Sequence, residues 1–201
     1  ILAAIGHSDA GYAEVEAAWN AGYTHVTHLY SGMSVLHRRN AYRYVGVLES
    51  AYLIDDMTVE IIADGCHLPA ELLKFGYKFK GPEKTALITD SMRGAGMPDG
   101  DSILGSLKNG QRCIIEDGVC KPPARNCFLG SVATGDRLVR TVYKQAGIPL
   151  WGAVRMATKT PARHCGYAGI KGEITVGADA DLVCFDEDIR ISAVYLMGKA
   201  V

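Results

Sequence analysis

A chain of 201 residues with 21 basic and 22 acidic side chains, a net charge of −1 and 48% apolar residues is sized for one globular domain plus an appendage. The charge is nearly balanced and no Lys/Arg cluster stands out, so there is no electrostatic footprint for nucleic acid or a membrane surface; no apolar stretch is long enough to cross a bilayer. Cys66, Cys113, Cys120, Cys127, Cys165 and Cys184 include no C-x-x-C pair, which favours free thiols in a reducing cytoplasm over a disulfide framework.

Residue 1 is Ile, followed at once by a strand-like run without an initiator Met or signal-type segment, so the chain is expected to begin inside a fold. The run Leu2-Ala3-Ala4-Ile5 ends in Gly6-His7. Ser8-Asp9 then reads as a helix cap, residues 10–20 as a helix and Gly22 as its C′ glycine. A second run ends in Val26-Thr27-His28. Residues 31–44 are too long and too polar for a simple turn and carry His37, Arg38, Arg39 and Arg43, as substrate-contacting loops do. The third run, 59–63, ends in Asp64, and Pro69 suits the first turn of a helix through about Phe75.

The fourth run, 85–89, ends in Asp90 and is followed by the glycine-rich segment 93–98. Two strands are expected at 102–107 and 112–115, joined through the hairpin dipeptide Asn109-Gly110. Gly130-Ser131 is expected to open a helix in which Leu138, Val139, Val142, Tyr143 and Ala146 keep helical spacing up to Gly147. A short helix fits 150–158. From Gly172 the texture changes to β segments at 173–176, 180–185 and 193–197, a small β domain.

Short, continuous apolar runs are the mark of parallel strands buried on both faces, and the chemistry of (β/α) folds collects where such strands end. A closed barrel needs eight strands and typically ~250 residues; four βα units make half of one. His7 and His28 end consecutive strands. For either alone, a hydrogen-bonded strand cap is the ordinary reading; both together, with Asp90 at a fourth strand end, favour a metal site. Asp90 could take and return a proton near a metal-bound water, or cap its loop. Asp64 fits a turn-holding role, which leaves His67 as the better candidate to touch a substrate. Arg39 could grip a phosphate or carboxylate, although from charge alone a solvated loop face is the ordinary reading. Gly130-Ser131 could offer backbone N–H groups to a ligand or merely cap a helix.

Taken in order, Gly6-His7-Ser8, Thr27-His28-Leu29, Ala63-Asp64-Gly65 with His67, Thr89-Asp90, Leu129-Gly130-Ser131, Thr160-Pro161-Ala162 and the segment 177–183 resemble the N-acetylglucosamine-6-phosphate deacetylases of the amidohydrolase superfamily. The resemblance implies an α/β fold: the second half of a (β/α)8 TIM-type barrel over 1–168, with a hairpin near 102–121, and part of a small β-sandwich over 169–201. It implies that His7 and His28 ligate a divalent metal, Zn with Fe, Mn or Co as alternatives, and that Asp90 is the general acid/base. His67, Arg39, Ser31, Gly32 and Leu129 would contact an amino-sugar phosphate, Arg39 reaching the neighbouring site of a cytoplasmic homodimer.

Ser31-Gly32 stands where the family usually has Asn-Ala, and Asn40-Ala41-Tyr42 where Glu-Pro-Gly is usual; the customary Asp-Gly-Thr before the Leu-x-Gly-Ser segment is replaced near Ala124-Arg125-Asn126. These departures surround the substrate rather than the metal. The family's glutamate ligand and a His-x-His-like element would precede residue 1, in a parent chain about twice as long. The alternatives are an amidohydrolase acting on another N-acyl amino sugar or cyclic amide, and an inactive barrel-type binding protein.

Overall fold

The computed structural model describes residues 1–201. Strand β1 (Ala3–Ile5) leads through helix α1 (Tyr12–Asn20) to β2 (Tyr23–Val26); an exposed hairpin of β3 (His37–Arg39) and β4 (Tyr42–Tyr44) follows. Then come α2 (Val47–Leu53), β5 (Thr58–Ile62), α3 (Ala70–Lys80) and β6 (Thr85–Ile88). Strands β1, β2, β5 and β6 pair in that order as a parallel sheet. Helices carry the chain back between them because parallel neighbours cannot be joined by a tight turn. This is the expected half-barrel.

Alternation along β5 sorts its side chains. Val59 and Ile61 are fully buried and join Val26, Leu73, Val142 and Met156 in the apolar layer between sheet and helices, each contributing ~1.5–3 kcal/mol. Glu60 and Ile62 therefore face the other way, into the barrel interior. Local signals near the first helices needed correction. Gly11, not Ser8 or Asp9, caps α1, its N–H donating to Glu14 Oε2 at 2.7 Å, while Gly22 closes it at φ 98° as expected. Helix α3 runs past Phe75 to Lys80 and stops at Gly81, φ 76°.

Strands β7 (Gly100–Leu104), β8 (Gln111–Glu116) and β9 (Val119–Lys121) form an antiparallel sheet. The hairpin is present, but Asn109-Gly110 belongs to a longer loop in which the Gly110 N–H donates to Ser106 O at 2.7 Å. The tight turn lies at Asp117-Gly118, at φ 53° and 73°, the sign a type I′ turn requires at both positions. Gly130-Ser131 does not open a helix. Ser131 is fully buried and bridges Ser91 in parallel and Val119 in antiparallel fashion, continuing the barrel sheet past β6 and joining it to β9.

Helix α4 (Gly135–Arg140) starts after Thr134 and passes into a π-helical turn, Thr141–Gln145, before Gly147 stops it at φ 65°. The predicted apolar spacing holds there, with Leu138, Val142 and Ala146 buried. Helix α5 (Leu150–Ala157) matches expectation and α6 (Lys159–His164) follows it. At the C-terminus β10 (Leu182–Phe185), β11 (Ile191–Leu196) and β12 (Lys199–Ala200) form a second antiparallel sheet. The strand expected at 173–176 does not form: Ile174 and Val176 are almost wholly exposed. Without a partner strand, β-branched propensity does not hold an extended segment.

Candidate active site

His7, His28, Asp64 and Asp90 each stand two residues beyond the end of β1, β2, β5 and β6. Because the strands are parallel, all four fall on one edge of the sheet. A cavity of about 730 Å³ opens there, lined on its polar side by His7, His28, Ser31, Gly32, His67 and Asp90. Ile62, Met92, Leu104, Phe128 and Leu129 supply an apolar wall. Seven of the eight residues singled out from sequence thus share one cavity. Arg39 does not: it lies exposed on the β3–β4 hairpin, its guanidinium carbon 5.6 Å from the Tyr44 ring centroid. No Lys or Arg lines the cavity.

Three of these residues occupy the left-handed region that side chains avoid: His7 at φ 27°, His28 at 30° and Asp90 at 46°. Such conformations cost of order 1–3 kcal/mol each and persist only where surrounding contacts impose them. At Asp90 the contacts are visible: its carbonyl accepts the Ser131 N–H at 3.1 Å, Met92 N donates to Ser131 O at 2.9 Å, and Ser91 Oγ donates to Ala133 O at 2.6 Å. Buried Ser131 is therefore the clamp on the strand end that carries Asp90.

The His7 and His28 rings lie 4.7 Å apart between centroids, tilted by 59°, and His28 Nδ1 is buried without a protein partner. A Cβ at Gly32 would fall 2.9 Å from Cδ2 and Nε2 of His7, so bare backbone lets this loop close over the ring. Two adjacent imidazoles and an orphaned buried nitrogen fit a divalent cation, for which neutral imidazole is a common ligand. No third His, Cys, Asp or Glu completes a cluster in this chain. The two histidines are a partial donor set.

Asp64 is buried and accepts three hydrogen bonds, from Cys66 N at 2.8 Å, His67 N at 2.9 Å and His67 Nδ1 at 2.8 Å. Burial pushes its carboxyl upward, but the donors from His67 and Cys66 outweigh that and hold it at about 2. His67 is thereby fixed with its ring 5.1 Å from that of Phe128. Sequence reading did not find Phe128 or Leu104. The only signal for Phe128 was its place beside Leu129-Gly130-Ser131, and Leu104 arrives from a separate sheet with no local signal.

The chain belongs to the amidohydrolase family, whose pattern it matches over residues 1–201; membership implies a divalent metal cofactor. It is 34% identical over 197 residues to the N-acetylglucosamine-6-phosphate deacetylase of Vibrio furnissii, covering 98% of this chain and 47% of that protein. It is 32% identical to the N-acetylgalactosamine-6-phosphate deacetylase of Escherichia coli O157:H7, covering 97% and 49%. Among solved structures, a mutant of the Mycobacterium smegmatis N-acetyl-D-glucosamine-6-phosphate deacetylase in complex with N-acetyl-D-glucosamine-6-phosphate superposes with a TM-score of 0.89 at 33% identity, over all of this chain and 51% of that one. The chain spans about half the length of the curated relatives it matches.

Proposed function

We propose that the protein to which this chain contributes hydrolyses the acetamide of N-acetylglucosamine-6-phosphate, giving acetate and glucosamine-6-phosphate. The observation that carries the reading is the convergence of His7, His28, His67 and Asp90 on one cavity in a chain that matches deacetylases along its whole length. His7 and His28 would hold the cation, with zinc the first choice and Fe, Mn or Co suited to the same donors. When bound, that cation supplies Lewis acidity, polarising the amide carbonyl and lowering the pKa of an attacking water.

Asp90 takes the proton released by the water and returns it to the departing amide nitrogen, so one carboxyl serves as base and then as acid. His67, locked by Asp64, offers the sugar a fixed hydrogen-bonding ring. Ser31, Gly32 and Leu129 form the adjoining walls against which the sugar rests. Arg39, exposed on its projecting hairpin, would meet the phosphate in the site of a second subunit. Six unpaired thiols suit a cytoplasmic setting, and residues 169–201 suit a share of a small β-sandwich.

The test uses the full-length protein, with bound metal quantified and acetate release followed from N-acetylglucosamine-6-phosphate, its unphosphorylated sugar and the galactosamine isomer. Hydrolysis of the phosphorylated glucosamine derivative in preference to the other two is expected. Preference for the galactosamine isomer would move the assignment to that of the 32% identical E. coli relative, and no hydrolysis despite stoichiometric metal would reject it. Arg39→Ala should raise KM about tenfold or more for phosphorylated substrates, in line with the ~1.5–3 kcal/mol of a charged hydrogen bond. An equal loss on unphosphorylated sugars would contradict the phosphate role.

A further inference from the structure

Glu60 interrupts the apolar run of β5 and faces the barrel interior, and three residues of the adjacent strand meet it. Its Oε2 accepts the Thr27 hydroxyl at 2.6 Å. Its backbone carbonyl accepts the Leu29 N–H at 2.8 Å. Its Oε1 lies 3.2 Å from Nε2 of His25, close enough for attraction but without hydrogen-bond alignment. The other ring nitrogen of His25 bonds Thr58 Oγ1 at 2.7 Å, so His25, itself only 2% exposed, braces Glu60 from below.

The residue in the middle of this grip is His28, at φ 30°. The chain beside it turns out of the strand, where ladder pairing between β2 and β5 has ended at Val26 and Val59. Backbone bonds from Thr27 N–H to Ile5 O at 3.0 Å and from Leu29 N–H to Glu60 O at 2.8 Å flank His28. The Glu60 side chain adds the Thr27 hydroxyl to them.

We propose that Glu60 is a positioning residue: by holding Thr27 and Leu29, on either side of His28, it fixes the strained strand end from which His28 presents its ring to a divalent cation. The inference rests on the metal reading of His7 and His28. Outer partners that orient a ligating imidazole typically influence metal affinity by 10–100-fold, and this one acts through the backbone that carries the ring.

The test is made on the full-length protein with Glu60→Gln, Thr27→Val and Thr27→Ser, by competition for zinc against a chromophoric chelator and by the visible spectrum of the Co²⁺-substituted form. Glu60→Gln should weaken zinc binding about tenfold or more and shift the Co²⁺ bands, with kcat falling more than KM changes. Thr27→Val should weaken it in the same direction and Thr27→Ser, which keeps the hydroxyl, should restore it. Should Glu60→Gln fail to fold, the Thr27 pair decides by itself. Zinc affinity and Co²⁺ spectra unchanged in Glu60→Gln or Thr27→Val, even with reduced thermal stability, would overturn the inference alone. An unsubstituted protein that binds no metal would overturn it together with the metal reading.

Discussion

Asp90→Asn in the full-length protein is expected to lower kcat by about a hundred- to ten-thousandfold, the range that a positioned general acid or base contributes. Metal content should stay near that of the unsubstituted protein. The substitution isolates the proton because the rest of the environment accepts it. Asn is nearly isosteric, and Asn, like Asp, tolerates the left-handed backbone found here at φ 46°. The bond that fixes this strand end runs from Ser131 N to the Asp90 carbonyl, which the substitution leaves alone. Steady-state acetate release and elemental analysis on the same preparation check both halves, and persistent activity at full metal occupancy would remove Asp90 from proton transfer.

The second large effect concerns stability in acid. The Asp64 carboxyl sits at about 2 instead of 3.8, so it binds its proton less readily in the folded than in the unfolded chain. A depressed carboxyl stabilises the fold fully above its ordinary value near 4, and that stability is lost as pH falls toward 2, for a total of about 2 kcal/mol. Denaturant midpoints followed from pH 6 down to pH 2 should therefore drop more steeply in the unsubstituted protein than in Asp64→Asn. At neutral pH the variant should be less stable by roughly the same 2 kcal/mol, since its amide retains an acceptor for the backbone donors but loses the charge facing His67. Parallel pH profiles would show that Asp64 is not the group responsible.

The strand ends were legible because burial on both faces writes parallel strands as unbroken apolar runs, and the polar residue that stops each run is visible without any tertiary knowledge. Gly22 and Gly147 were legible for a similar local reason. Ser131 was not. A Gly-Ser pair before an apolar helix looks like a cap, and only the distant strand residues Ser91 and Val119 make it a bridge. The segment 173–176 failed in the opposite way, with local β character and no partner to use it. Glu60 hid inside a run whose apolar neighbours defined it as a strand, because a single charge there reads as noise until His25 and Thr27 are seen beside it. Arg39 was correctly placed on a long loop, but that the loop is a projecting hairpin follows from pairing between His37 and Tyr44, Arg38 and Arg43, and Arg39 and Tyr42, which no periodicity announces.

The left-handed backbone at His7, His28 and Asp90 gives mutation a preferred direction. Glycine at any of these positions would relieve conformational strain, so a copy freed from its chemical task would gain stability by abandoning these side chains. Drift would run downhill at the three places where chemistry is concentrated. The two histidines and the aspartate on which the proposed chemistry rests are thus held at positions where the backbone alone would favour their loss.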